Sequence, residues 1–318
     1  MGKTVFVAPL DWGLGHATRC VPLIRSLIQA GHLVHFGVTE TTKKILDEEF
    51  THLNKYYLSE TKIHYHKFLP AWFSILLQTP RLLTNIQREK KITKKIFDQI
   101  NPDVVISDNR YGCYFPKAKN ILITHQLKFK QTGLSFFSEN IVNHLVKHFQ
   151  EIWVPDFDNK TLNLSGELSR NKKFELTTKF IGPLSRLEPS TINQEKKYSF
   201  CFLISGPESL RSIFEKEAVA FVKNSNEKCA IVRGSSLHHK IIETTLNCDV
   251  FDLPDRKKLE HIISVSETIV CRSGYSSIMD IVKMKKAAFI YPTPGQSEQL
   301  YLAKYNSKHR MFKMINKI

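Results

Sequence analysis

The sequence predicts an α/β protein made of two doubly wound, Rossmann-like parallel-sheet domains facing across a cleft. Three observations predict it. Apolar runs of strand length alternate with segments of helical periodicity, which is the pattern of βαβ units and parallel sheets. That pattern runs twice, once over the first half and again from residue 198. Between the two sets lies KFIGPLSRLEPSTINQEKK, rich in turn formers and polar at its end, as interdomain linkers are. The 318 residues are enough for two cores. The expected division is 1–182, a linker over 183–197, and 198–318.

In order along the chain, TVFVAPL (4–10) reads as a buried strand. HATRCVPLIRSLIQA (16–30) follows as a helix, with Val21, Ile24, Leu27 and Ile28 at helical spacing. Gly31 is placed to end it, and LVHFGV (33–38) is the next strand. DVVIS (103–107), NILIT (120–124) and EIWVP (151–155) complete the first set of strands. The second set is YSFCFLI (198–204), KCAIV (228–232), CDVFDL (248–253), TIVC (268–271) and AAFIYP (287–292), with helical runs between them. The tail NSKHRMFKMINKI carries no assigned element.

Composition sets outer bounds. With 42% hydrophobic and 24% charged residues, disordered and collagen-like classes are excluded. The formal net charge of +16 favours anionic partners: nucleic acid, an acidic membrane face or phosphorylated substrates. The six cysteines lie scattered in apolar runs without a C-x-x-C pair, so they read as reduced core residues of a cytoplasmic protein. TVFVAPL reads as a short strand with a polar loop directly behind it rather than as a signal peptide. The longest apolar stretch, FLPAWFSILL (68–77), falls short of the roughly 20 residues of a spanning helix.

In doubly wound sheets, ligands sit outside the carboxyl ends of the strands, so the loops there hold the candidate chemistry. The first is DWGLGHATR (11–19). It lacks the third glycine of a dinucleotide fingerprint and the G-K-[ST] ending of a Walker loop, so neither cofactor class fits. Gly13 and Gly15 let the backbone approach a ligand, and His16 falls at a helix N-terminus, where an imidazole tends to stay neutral and able to accept a proton. Asp108, with Asn109 and Arg110, ends the strand DVVIS, and His125 and Gln126 follow NILIT. Three polar strand-end loops on one rim point to a site. In the second half, Ser205 and Gly206 lie in LISGPESLR, and Ser273, Gly274 and Ser276 precede a helix that carries Asp280. Backbone N–H groups at such turns suit phosphate. Gly295 and Gln296 then form a rigid loop before Glu298 and Gln299.

RSGYSSIMD followed by PTPGQSEQLYLA resembles the donor-binding signature of the glycosyltransferase family 28 carboxyl-terminal domain. That group includes the MurG-type N-acetylglucosaminyltransferases and the diacylglycerol galactosyltransferases. GLGHATR resembles its glycine-rich G-x-G-H loop, THQ (124–126) its second loop, and FIGPLSR (180–186) its linker phrase. The resemblance implies a GT-B fold and an inverting, metal-independent transferase using a nucleotide-sugar, with UDP the usual carrier and no cofactor. It makes His16 the candidate general base, with Asp108 and Asp11 in reserve. Asp280 becomes the ribose-binding carboxylate, where relatives commonly carry Glu. Ser205, Gly206, Ser273 and Gly274 would meet the phosphates, and Glu298 and Gln299 the sugar hydroxyls. Gly13, Gly15, Arg272, Ser276, Gly295 and Gln296 complete the expected ligand contacts. ISGPES departs from the pattern, with one glycine where relatives often have three.

Asp156 and Asp158 match the D-x-D pattern of metal-dependent transferases of another fold, but their place after Pro155 reads as structural. Residues 62–95 carry eight Lys and Arg against one acid, Glu89, around an apolar patch that contains Trp72. Such a patch suits a membrane surface and a lipid-linked or saccharide acceptor, with the protein peripheral on the cytoplasmic face of the inner membrane. The other readings are a nucleotide-sugar epimerase of the same fold and a non-catalytic binder of anionic polymers. The chain shows no recognisable nucleic-acid module.

Overall fold

The computed structural model describes residues 2–60, 71–128, 143–191, 194–206, 208–234 and 247–318, with the side chains of 71–79, 208 and 209 left aside. The chain divides into two compact units, Met1–Arg186 and Leu187–Ile318.

The amino-terminal unit is a seven-stranded sheet in the order β3-β2-β1-β4-β5-β6-β7, every pairing parallel. Its strands are β1 (Thr4–Pro9), β2 (Leu33–Val38), β3 (Asn54–Tyr57), β4 (Val104–Asp108), β5 (Lys119–Ile123), β6 (Glu151–Val154) and β7 (Thr178–Phe180). Strand side chains alternate between faces, and β1 shows the consequence. Val5 and Val7 pack with Cys20, Val21 and Ile24 of helix α1 (Leu14–Gln29) and Leu46 of α2 (Glu40–Glu49). Phe6 and Ala8 pack on the other face with Ile96 and Phe97 of α3 (Ala71–Ile100). The sheet is covered on both sides, which is why its central strands read as unbroken apolar runs.

Helix α1 stops where the sequence predicted. Gly31 adopts φ 79°, its N–H donates to Ile28 O at 2.9 Å, and the His32 N–H donates to Leu27 O at 3.1 Å. This crossed pair satisfies carbonyls the helix end would otherwise leave open.

The carboxyl-terminal unit repeats the design with six parallel strands in the order β10-β9-β8-β11-β12-β13. They are β8 (Tyr198–Leu203), β9 (Cys229–Val232), β10 (Cys248–Phe251), β11 (Ser266–Arg272), β12 (Ala287–Tyr291) and β13 (Phe312–Met314). The helices are α4 (Glu208–Lys223), α5 (Arg256–Ser264), α6 (Tyr275–Met284) and α7 (Ser297–Asn306). Phe214, Ala218 and Val222 of α4 pack on Phe202, Ile231, Val270 and Tyr291.

The structure adds to the sequence reading at the tail, at the sheet edges and around residue 186. The tail is not without structure, because Phe312–Met314 adds the sixth strand, beside β12. Edge strands β3 and β7 were missed because their residues are half-exposed and carry no apolar run. The start of the expected linker is packed, with Ser185, Arg186 and Leu187 buried. The cysteines are all free thiols, five of them buried.

Candidate active site

Each sheet has one place where its strand order reverses direction, and ligands in such folds bind outside the carboxyl ends there. In the amino-terminal unit that place lies between β1 and β4, paired from Val5–Val104 to Pro9–Asp108. Two of the sequence-predicted residues, His16 and Asp108, meet there.

Asp108 ends β4 with no exposed surface. The next residue, Asn109, turns the chain with φ 54°, and its N–H donates to Ile123 O. Helix α1 begins after Gly13, whose φ of 109° suits only glycine, and it points His16, Arg19 and Cys20 at Asp108. The spacings i, i+3 and i+4 put all three on one helix face. His16 Nδ1 lies 3.1 and 3.2 Å from the two carboxylate oxygens. Arg19 Nε donates to Oδ2 at 2.8 Å and its Nη2 to Oδ1. The Cys20 thiol lies 3.7 Å from Oδ2.

The charge states follow from these contacts. Burial opposes the Asp108 charge, but Arg19 and then His16 outweigh it and hold the carboxyl well below the usual carboxylate range. An ionised carboxylate only accepts, so the His16 proton sits on Nδ1 and Nε2 is left as a lone-pair acceptor. Burial, then the Arg19 charge, keeps the His16 pKa below its ordinary value against the pull of Asp108, and His125 adds to the lowering. The His16 side chain keeps 18% of its surface exposed. Tyr111, beyond β4, is pushed up to about 12 by burial and then by the Asp108 charge, so it stays a neutral phenol.

Asp108 is closed to solvent, with both oxygens engaged by His16 and Arg19. The Asp11 side chain is 3% exposed and lies 3.4 Å from the Arg110 guanidinium. Arg110 ties the site to α3: its Nε donates to Pro9 O at 2.8 Å, and it pairs with buried Glu89, which accepts the Gly112 N–H at 3.1 Å. The residue missed was Arg19. The i+3 spacing in GHATR was the available signal.

The carboxyl-terminal unit has its reversal between β8 and β11. Ser205 and Gly206 follow β8, with Gly206 at φ 112°. Arg272 ends β11, 2% exposed, its guanidinium 4.7 Å from the Phe214 ring and 4.2 Å from that of Tyr291. Its Nη1 donates to Pro292 O at 3.3 Å, while Nε and Nη2 are buried without a hydrogen-bond partner among the described residues. Gly274 caps α6 without a side-chain hydrogen bond, and no acid stands in the first turn. Ser276 and Asp280 are half-buried on α6.

The Ser273 hydroxyl is buried and donates to Gln299 O at 2.8 Å, joining the loop before α6 to α7. The Gln299 amide accepts the Thr293 N–H at 2.9 Å and donates to Gln296 Oε1 at 2.6 Å. It shapes the Gly295–Gln296 loop, so its amide is already engaged. Glu298 stands in the first turn of α7.

Asp156 of the D-x-D motif has no exposed surface and accepts the N–H groups of Phe157, Leu164 and Ser165 and the Ser165 hydroxyl. It is a loop staple. Asp158 pairs with Arg170.

No protein-family model matches the chain. It is similar to two curated proteins, each described as an uncharacterized glycosyltransferase. That of Methanosarcina mazei is 25% identical over 314 residues, covering 90% of this chain and 79% of the relative. That of Methanosarcina acetivorans is 26% identical over 321 residues, with the same coverage. Among solved structures, the spinosyn rhamnosyltransferase SpnG complexed with thymidine diphosphate superposes with a TM-score of 0.66 at 12% identity, over 99% of this chain and 86% of that one. MurG of Acinetobacter baumannii superposes with a TM-score of 0.58 at 14% identity, over 98% and 85%. Two parallel Rossmann-like sheets and these likenesses identify the chain as a GT-B-fold relative of curated glycosyltransferases.

Proposed function

We propose that the protein is an inverting glycosyltransferase that moves a hexose from a nucleoside-diphosphate sugar to an acceptor hydroxyl, in the manner of the family 28 enzymes its motifs resemble. The observation that carries this reading is the His16–Asp108 pair at the switch point of the amino-terminal sheet. A neutral imidazole with Nδ1 held and Nε2 free is a general base for a hydroxyl. In the reaction, Nε2 takes the acceptor proton and the acceptor oxygen bonds to the anomeric carbon. The bond from that carbon to the diphosphate breaks, and the nucleoside diphosphate leaves with the electron pair. Attack opposite the leaving group inverts the anomeric centre.

The carboxyl-terminal unit would take the donor. The N-terminus of α6, uncapped by a side chain, and the Arg272 donors that lack a hydrogen-bond partner among the described residues suit a diphosphate, and would stabilise the charge that develops on it without a metal. Asp280 would accept from the ribose hydroxyls. SpnG, of the same fold, is complexed with thymidine diphosphate, which supports a nucleoside diphosphate as carrier; the motifs favour UDP. Calorimetric titration with UDP is expected to show binding that Asp280→Ala abolishes. Equal binding by the variant would remove Asp280 from the site. Absence of binding with UDP and TDP alike would overturn the donor assignment.

A membrane-borne acceptor, met at the cytoplasmic face, is supported by α3. Residues 62–70 and the side chains of 71–79 lie outside the described residues. Beyond them Arg81, Arg88, Lys90, Lys91, Lys94 and Lys95 are exposed, while Glu89, the segment's acid, turns inward to Arg110. A pocket of about 350 Å³ has Glu60, Arg81, Thr84, Asn85 and Arg88 in its lining. The helix therefore shows solvent a cationic face, whose attraction to anionic lipid is worth about 1 kcal/mol per basic residue. Co-sedimentation with phosphatidylglycerol vesicles, lost in phosphatidylcholine vesicles and in high salt, is the expected result. Equal sedimentation with both lipids would contradict it.

A further inference from the structure

We infer that Arg19 is a positioning residue that lets Asp108 orient His16 without protonating it; this rests on the reading of His16 as the base. A buried carboxylate beside a histidine does two things at once. It fixes the ring through the Nδ1–H bond, and its charge favours the imidazolium, which cannot accept a proton. A base needs the first effect without the second.

Arg19 separates them. Its guanidinium meets Asp108 through Nε at 2.8 Å and through Nη2, one nitrogen on each oxygen. That two-point contact fixes the carboxylate plane, and His16 approaches the same two oxygens at 3.2 and 3.1 Å. Arg19 is 2% exposed and Asp108 fully enclosed, so solvent screens the pair little. After burial, which itself disfavours the charged ring, the Arg19 cation opposes the field Asp108 exerts on His16. The geometry of the hydrogen bond is kept while its electrostatic bias is countered.

The other groups acting on this cluster fit the same balance. Cys20, on α1, offers a neutral thiol to Asp108, and burial pushes its pKa well up. Tyr111 is a neutral phenol. His125, beyond β5, acts on His16 in the same direction as Arg19. Asp108 is therefore the group that favours a charged His16, and Arg19 is its direct counterweight.

The test is an NMR titration of the His16 Cε1–H resonance in the full chain, assigned by its loss in His16→Gln. In Arg19→Gln the His16 midpoint is expected to move to higher pH, and in Arg19→Lys to return toward the parent value. With a turnover assay in hand, the acid limb of kcat should move the same way. An unchanged His16 midpoint in Arg19→Gln, with only a lowered Tm, would reduce Arg19 to packing and overturn the inference. Should Arg19→Gln fail to fold, Asp108→Asn supplies the converse: Arg19 then acts unopposed, and the midpoint should fall. A midpoint that rises or stays in that variant contradicts the inference. Because the titration needs no substrate, it can fail while the transferase reading stands, and the reverse.

Discussion

Replacing His16 with alanine is expected to lower kcat by about 10²–10⁴-fold, the range of a lost general base, while UDP affinity is unchanged. The split follows from the placement of the two functions. His16, the proposed base for the acceptor proton, belongs to the amino-terminal unit; the proposed nucleotide contacts belong to the other unit. The same reading fixes the pH dependence. Activity requires neutral His16, so kcat rises with pH as the ring loses its proton and then levels off. Burial and Arg19 keep the His16 pKa below its ordinary value of 6.5, so the acid limb should fall below that pH. A limb above it, or full activity in His16→Ala, would assign the base elsewhere.

The second large effect is expected at Asp108, on stability and activity together. Asp108→Ala leaves Arg19 buried without its counter-charge and should cost about 3–5 kcal/mol of stability, read as a lowered urea midpoint. It also frees the His16 ring, so the folded fraction should lose activity nearly as fully as His16→Ala. Asp108→Asn keeps the shape and separates the effects, since a side-chain amide cannot hold the required tautomer as firmly as a carboxylate. The pH sign is set by the lowered Asp108 pKa. The stability it contributes is fully present above the ordinary carboxylate value of 3.8 and is lost as pH falls below it. A variant as stable as the parent would mean that Arg19 finds another partner.

The fold was legible where burial on both faces leaves an unbroken apolar run. LVHFGV is β2 without a shift, and TVFVAPL, DVVIS and AAFIYP differ from their strands by a residue or two. It was not legible at the edges. NKYY and FKM are short, partly solvated and mixed in character, and only their backbone pairing makes them strands.

The site was legible as an inventory and not as an arrangement. His16 and Asp108 were both recognisable, but as rivals for one role, because no spacing rule joins residues 92 positions apart. The sheet joins them, by placing the end of β4 beside the end of β1. Arg19 escaped notice because its partner lies on another element. Gln299 shows the reverse case: its type suited a sugar contact, and its amide proved to be engaged within its own loop.

The measurement that bears most directly on the central claim is proton NMR of the first turnovers of UDP- and TDP-linked α-hexoses, presented with water or a membrane extract as acceptor. The account predicts release of the nucleoside diphosphate with a β-configured product or free β-hexose, about 10²–10⁴-fold slower from His16→Ala. An α-configured first product would contradict inversion. The same product from His16→Ala at the parent's rate would contradict the base assigned here.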